Sequence, residues 1–173
     1  MRYITKEIGV ENYHPPENVY GIFANPPCTM FSRARTVAKK PRDLNEGMRL
    51  VKECLRIIWE AEAQHHLAWW ALENPATGLL RNFLGKPAFE YHPYHFGDDK
   101  SKLTALWGTF KPPAPLLLTN KSNDVLGKKG WWHELKRKTM VYGEVKAKGH
   151  ELETDMKSIA SPHFTKAFFL ANP

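Results

Sequence analysis

Asn25-Pro26-Pro27-Cys28-Thr29-Met30-Phe31-Ser32 is the stretch on which the reading of this chain turns. It follows an apolar run, Val19-Tyr20-Gly21-Ile22-Phe23-Ala24, whose length and composition predict a buried parallel strand. Pro26 and Pro27 fix φ and bar a helix just before the cysteine, so a tight turn is expected there. Such a turn sets Cys28 at the carboxyl end of a strand, where ligands and reacting groups collect in open α/β sheets. Two readings of Cys28 follow. A single cysteine commonly serves as a small core hydrophobe. Against that, Thr29 and Ser32 flank it, and Arg33, Arg35, Lys39, Lys40 and Arg42 follow closely. Nearby positive charge favours the nucleophilic thiolate.

A second apolar run, Leu67-Ala68-Trp69-Trp70-Ala71-Leu72, leads directly into Glu73-Asn74-Pro75. Between the two runs a long helix is expected, capped by Asp43 or Asn45. Met48, Val51, Leu55 and Ile58 recur at helical spacing, and Leu50, Cys54, Ile57 and Ala61 widen the stripe. Cys54 is read as core. A right-handed strand-helix-strand unit brings the carboxyl ends of both strands, with Cys28 and Glu73, to one edge. A cysteine nucleophile with an acid beside it suits attack on an electron-poor ring. The competing account of Glu73 is a helix cap or a salt bridge.

At these two motifs the chain resembles the DNA cytosine-C5 methyltransferases, and most closely the small methylase-like proteins of phages and prophages. The family's Pro-Cys motif matches Pro27-Cys28, and its Glu-Asn motif matches Glu73-Asn74. The segment from Phe96-Gly97-Asp98 to Leu106-Trp107-Gly108 looks like the family's basic strand motif. Lys100 and Lys102 stand where the family usually carries arginines, and a lysine offers a point charge where arginine offers a planar fork. Ser161-Pro162-His163-Phe164 looks like the opening of the closing segment in phage-type members.

The resemblance implies an α/β, three-layer, mostly parallel sheet, a truncated Rossmann-like methyltransferase core. It implies Cys28 as the nucleophile that attacks cytosine C6 and Glu73 as the acid at N3. Pro27, Ser32, Asn74, Pro75, Lys100 and Lys102 would hold the substrate, and S-adenosylmethionine would be the methyl donor. The base must leave the duplex to be reached. One departure stands out. The family opens with a strand and a glycine-rich turn for S-adenosylmethionine, yet the 18 residues before Val19 hold one glycine, Gly9, and no strand-glycine-helix pattern. Two other function classes therefore stand beside the first. One is a pyrimidine-modifying enzyme with a different one-carbon donor. The other is a nonenzymatic phage module that binds DNA or blocks host defence.

The 173 residues are read as one domain. It comprises an arm over 1–18, a catalytic-like α/β core over 19–118, a basic aromatic segment over 119–160 and a terminal helix over 161–173. Tyr3-Ile4-Thr5 reads as a brief edge strand or part of a loosely held arm. Thr77 to Leu84 reads as a short helix. Phe89-Glu90-Tyr91 and Leu103 to Trp107 read as a hairpin-like pair, and Leu116-Leu117-Leu118 as a last short strand. His92 and His95, near Asp98 and Asp99, read as a polar turn rather than a metal site, because no cysteine or third histidine completes a ligand set.

A net charge of +7 favours a polyanion such as DNA, or marks a merely soluble basic protein. Arg33, Arg35, Lys39, Lys40, Lys128, Lys129, Lys136 and Arg137 are the candidate phosphate contacts, with Trp131 and Trp132 as stacking faces or as anchors of their loop. Two cysteines without paired spacing argue against a disulfide scaffold or a zinc finger. A polar start, and no apolar run near the roughly 20 residues of a membrane span, lead to the expectation of a cytoplasmic protein, in the host cell if phage-encoded. A sheet lacking its first unit exposes an edge, so a homodimer or a partner chain that covers it is expected.

Overall fold

A computed structural model describes residues 9–33, 35, 38, 40–98, 102–116 and 161–173. Contacts divide the chain into two compact units, Met1–Glu90 with Leu103–Phe110, and Tyr91–Lys102 with Lys111–Pro173.

The first unit carries the sheet. Strand β1 (Gly21–Ala24) leads through the proline turn to helix α1 (Leu44–Ala63), and α1 returns the chain to β2 (Trp69–Pro75). β1 and β2 pair in parallel, with Gly21 opposite Trp69 and Ala24 opposite Leu72, as the strand-helix-strand reading requires. A one-turn helix, α2 (Arg81–Leu84), precedes β3 (Phe89–Tyr91), and β4 (Thr104–Thr109) completes the order β1-β2-β4-β3.

The expected mostly parallel sheet is corrected to a mixed one. Only β1 and β2 run parallel, and β4 lies antiparallel to β2. The cause is the connection. A parallel return needs a crossover of a dozen or more residues, usually a helix, which α1 supplies. Between β3 and β4 the regular structure among the described residues is one 3-10 turn, Pro93–Phe96. The chain therefore doubles back, and the predicted pairing of these two segments is observed.

α1 starts where Asp43 accepts the Glu46 N–H at 3.0 Å. Its inward stripe, Val51, Ile57, Ile58 and Ala61, is buried. Val51 joins Phe31, Leu72, Ala76, Leu80, Ala105 and Trp107 in one core cluster. Ala71 and Leu106, on the opposite pleat, are also fully buried, so both faces of the sheet are covered. At its outer surface α1 holds the arm. Arg56 donates to the carbonyls of Val10 and Tyr13 at 2.9 Å each while pairing with Glu53 and Glu60. His14 meets Glu60 at 2.9 Å, and Arg49 pairs with Glu11. Hydrogen bonding from Arg56, above all, keeps the Glu60 carboxyl below its ordinary pKa. Over 9–18 the arm forms a 3-10 turn (Val10–Asn12) rather than a strand, and Tyr3-Ile4-Thr5 lies outside the described residues.

Three further boundaries are corrected. The short helix begins at Arg81 rather than Thr77, after a series of turns. Leu116 is exposed and in no strand, while Leu117 and Leu118 lie outside the described residues. β2 runs on to Pro75 instead of stopping at Leu72, because β4 offers partners past the end of β1: Glu73 opposite Leu106, Asn74 opposite Ala105 and Pro75 opposite Thr104.

The second unit is built on rings. Tyr91 stacks on Phe164 of helix α3 (Pro162–Ala171) at 3.7 Å, and Phe96 meets Phe164 edge-on at 5.1 Å. Asn172 and Lys111 exchange hydrogen bonds of 2.8 and 2.9 Å. Asp98, fully buried, accepts from Ser161, the α3 N-cap, and faces His163 Nδ1 at 3.0 Å. Among the described residues no helix is long and apolar enough to cross a membrane.

Candidate active site at the Cys28 turn

The turn after β1 is held from several sides. The Cys28 carbonyl accepts the N–H groups of Phe31 and Ser32, at 2.9 and 2.8 Å, which closes a compact loop around Thr29 and Met30. Phe31 then plunges into the core, with no exposed surface, and its carbonyl accepts the Leu79 N–H at 2.9 Å. Burial of the ring outweighs the polar residues that follow it. Just before α1, the Arg42 guanidinium donates to the carbonyls of Met30 and Ser32. Gly47 lets the turn lie against the helix, since a Cβ there would come within 2.7 Å of Met30 Cβ.

The two sequence motifs meet. Asn74 Nδ2 donates to the Pro26 carbonyl at 3.0 Å, a buried bond between residues 48 apart in the chain. One step along the parallel register, the Asn25 amide nitrogen, oriented to satisfy its neighbours, donates to Glu73 Oε2 at 3.3 Å. Cys28 is half-buried on this turn, Pro27 is exposed, and Glu73 is half-buried on β2. The Pro75 carbonyl accepts the Gly78 N–H at 2.9 Å, so Pro75 shapes the loop beyond the strand. Ser32 acts through its backbone at both ends of the turn.

The basic residues separate. Arg33 and Lys40 are exposed, whereas Arg35 donates to the carbonyls of Lys40 and Pro41 at 2.8 and 3.0 Å. Lys102 is exposed. Lys39, Lys100, Lys128, Lys129, Trp131, Trp132, Lys136 and Arg137 lie outside the described residues. Two supports of the site were not singled out from sequence. Asn25 was legible in principle, as the residue that falls beside Glu73 once β1 and β2 are in register. The carbonyl clamp by Arg42 has no sequence signature beyond the charge itself. His92 and His95 bond to each other across the 3-10 turn, and burial, then the neighbouring His92, lowers the His95 pKa.

The two cysteines have different surroundings. Burial, and secondarily the charge of Glu53, push the Cys54 thiol up from 9.0 to about 11. At about pH 8 roughly 0.1% of it is thiolate, so an iodoacetamide time course with peptide mapping is expected to modify Cys28 and to spare Cys54. Cys54 labelling should rise as the pH approaches 11. The same raised value stabilises the fold below about pH 9, where thiols are neutral in both states, and that contribution is lost as pH rises through 11. Equal labelling of both cysteines at pH 8 would contradict this assignment.

Beside the turn, Asn25, Pro26 and Pro27 line a cavity of about 510 Å³ whose lining holds no charged side chain among the described residues. S-adenosylmethionine carries a sulfonium, an ammonium and a carboxylate, and such ions need paired partners when buried. Before β1 the described chain forms the Val10–Asn12 turn rather than a strand and glycine turn. The residues described do not fit that cofactor. No family model matches the chain, and no curated protein matches it.

Proposed function

We propose that Cys28 and Glu73 form a pyrimidine-addition site of the DNA cytosine-C5 methyltransferase type. The observation that carries the reading is the buried Asn74–Pro26 hydrogen bond, which locks the cysteine turn to the strand end bearing Glu73. The Cys28 thiolate adds to C6 of cytosine and forms a C–S bond. The 5,6 π pair moves into the ring, and a protonated Glu73 delivers its proton to N3. C5 is then enamine-like and takes an electrophile. In the absence of one it takes a solvent proton; water then removes the original C5 hydrogen, the Glu73 carboxylate takes back the N3 proton, and the C–S bond breaks with its electron pair returning to sulfur, which regenerates cytosine and the thiolate. Because the described residues do not fit S-adenosylmethionine, no methyl-transfer step is derived for this chain alone. The net charge of +7 and the exposed Arg33 and Lys40 favour a nucleic-acid strand as carrier of the base.

The test needs no methyl donor. A cytosine-containing oligonucleotide incubated with the protein in D₂O is followed by mass spectrometry for deuterium at C5. Exchange is expected with the native chain, is expected to vanish in Cys28→Ser, and should fall about 100-fold or more in Glu73→Gln. No exchange, with oligonucleotide binding unchanged in Cys28→Ser, would establish the nonenzymatic DNA-binding module instead.

A further inference from the structure

We infer that the cavity of about 510 Å³ in the first unit binds a neutral, largely apolar ligand with a flat aromatic ring system. Its size falls in the range of small-molecule sites. One wall is a single face of α1, with Leu50, Cys54 and Ile57 at i, i+4 and i+7. Tyr13 from the arm and Phe23 from β1 bring rings, and Asn25 brings an amide at the end nearest the Cys28 turn.

Charge decides the ligand class. A quarter of the chain's residues are Asp, Glu, Lys or Arg, yet among the described residues none lines this space. The charged groups of α1 nearest the arm are engaged elsewhere, Arg56 with Glu53, Glu60 and the arm carbonyls, and Glu60 with His14. An anion buried here meets no counter-charge among the described residues, and desolvating it costs several kcal/mol. Nucleotides and other phosphate-bearing compounds are therefore disfavoured, whereas a neutral ring pays no ion-desolvation cost and gains apolar contact. This inference does not rest on the pyrimidine-addition reading, since the deuterium-exchange assay reads Cys28 and the following experiment reads Cys54.

The matched probes are N-phenyl-1-naphthylamine and 1-anilinonaphthalene-8-sulfonate, which share one ring system and differ by a sulfonate. Fluorescence titration of the full chain is expected to show saturable binding of the neutral probe, with the sulfonate at least about tenfold weaker. The neutral probe should also slow alkylation of Cys54 at about pH 10, where that thiol ionises appreciably, and leave Cys28 labelling in place. Leu50→Trp, which fills the cavity from a half-buried position, should abolish the neutral probe's signal. Equal affinity for the two probes, no binding of the neutral one, or unprotected Cys54 overturns the proposal. Should Leu50→Trp fail to fold, Cys54 protection in the native chain still decides the matter.

Discussion

Replacing Phe31 by alanine is expected to lower the unfolding free energy by about 3–5 kcal/mol. The ring has no exposed surface and sits among Val51, Leu72, Ala76, Leu80, Ala105 and Trp107, so it joins α1, β2, β4 and the loop after β2. It also meets Phe83 edge-on, with ring centres 6.2 Å apart. Truncation removes the transfer energy of the ring and leaves a void that four different segments would have to close. The change reaches the candidate site as well. Phe31 fixes the end of the Cys28 turn, its N–H bonding to the Cys28 carbonyl and its carbonyl to Leu79. Urea denaturation measures the stability, and Cys28 alkylation in the still-folded fraction reads the turn. Phe31→Leu, which keeps much of the volume, should recover most of the loss. A Phe31→Ala cost under about 1 kcal/mol would mean that the ring does not pin the turn to the core.

Gly108→Ala is expected to cost about 3 kcal/mol or more, from two causes that can be separated. The backbone there has φ of +139°, outside the range of L side chains. A Cβ would also lie 2.1 Å from the Trp70 carbonyl oxygen and 2.9 Å from its ring, where β4 crosses close to β2. The oxygen belongs to a strand backbone and cannot swing aside. Gly97 supplies the comparison. Its φ is +98° with nothing within 4 Å of the Cβ position, so Gly97→Ala should cost only the left-handed conformation, about 1 kcal/mol. Thermal unfolding of both variants checks the difference. Equal losses would show that the close approach of β4 to Trp70 carries no energy.

The candidate site was legible to the extent that it depended on neighbours in sequence. Two prolines before Cys28 announce a turn, and an apolar run before each motif announces a strand. The spacing of Val51, Ile58 and their companions announces the helix that makes those strands parallel. What escaped was whatever depended on a third strand. Proline ordinarily ends a strand, so Pro75 by itself gives no sign that Glu73, Asn74 and Pro75 continue one. β4 pairs with all three, and Asn74 thereby turns inward, 1% exposed, to reach Pro26. The basic stretch after Ser32 read as one patch, yet Arg35 and Arg42 turn their guanidinium groups onto nearby carbonyls. Charge in a sequence does not say whether a cation faces solvent or serves as a local clamp.

The sequence by itself determined the parallel β1-α1-β2 unit, the proline turn at Cys28 and the core role of Cys54, because each follows from periodicity or from backbone restrictions carried by the residues themselves. Only the tertiary structure decided the mixed sheet, the burial of Phe31, the hydrogen bond that joins Asn74 to Pro26 and the cavity beside the turn. Each of those is a relation between segments far apart in the chain. It is settled by which strand finds a partner and which polar group must be satisfied once water is excluded.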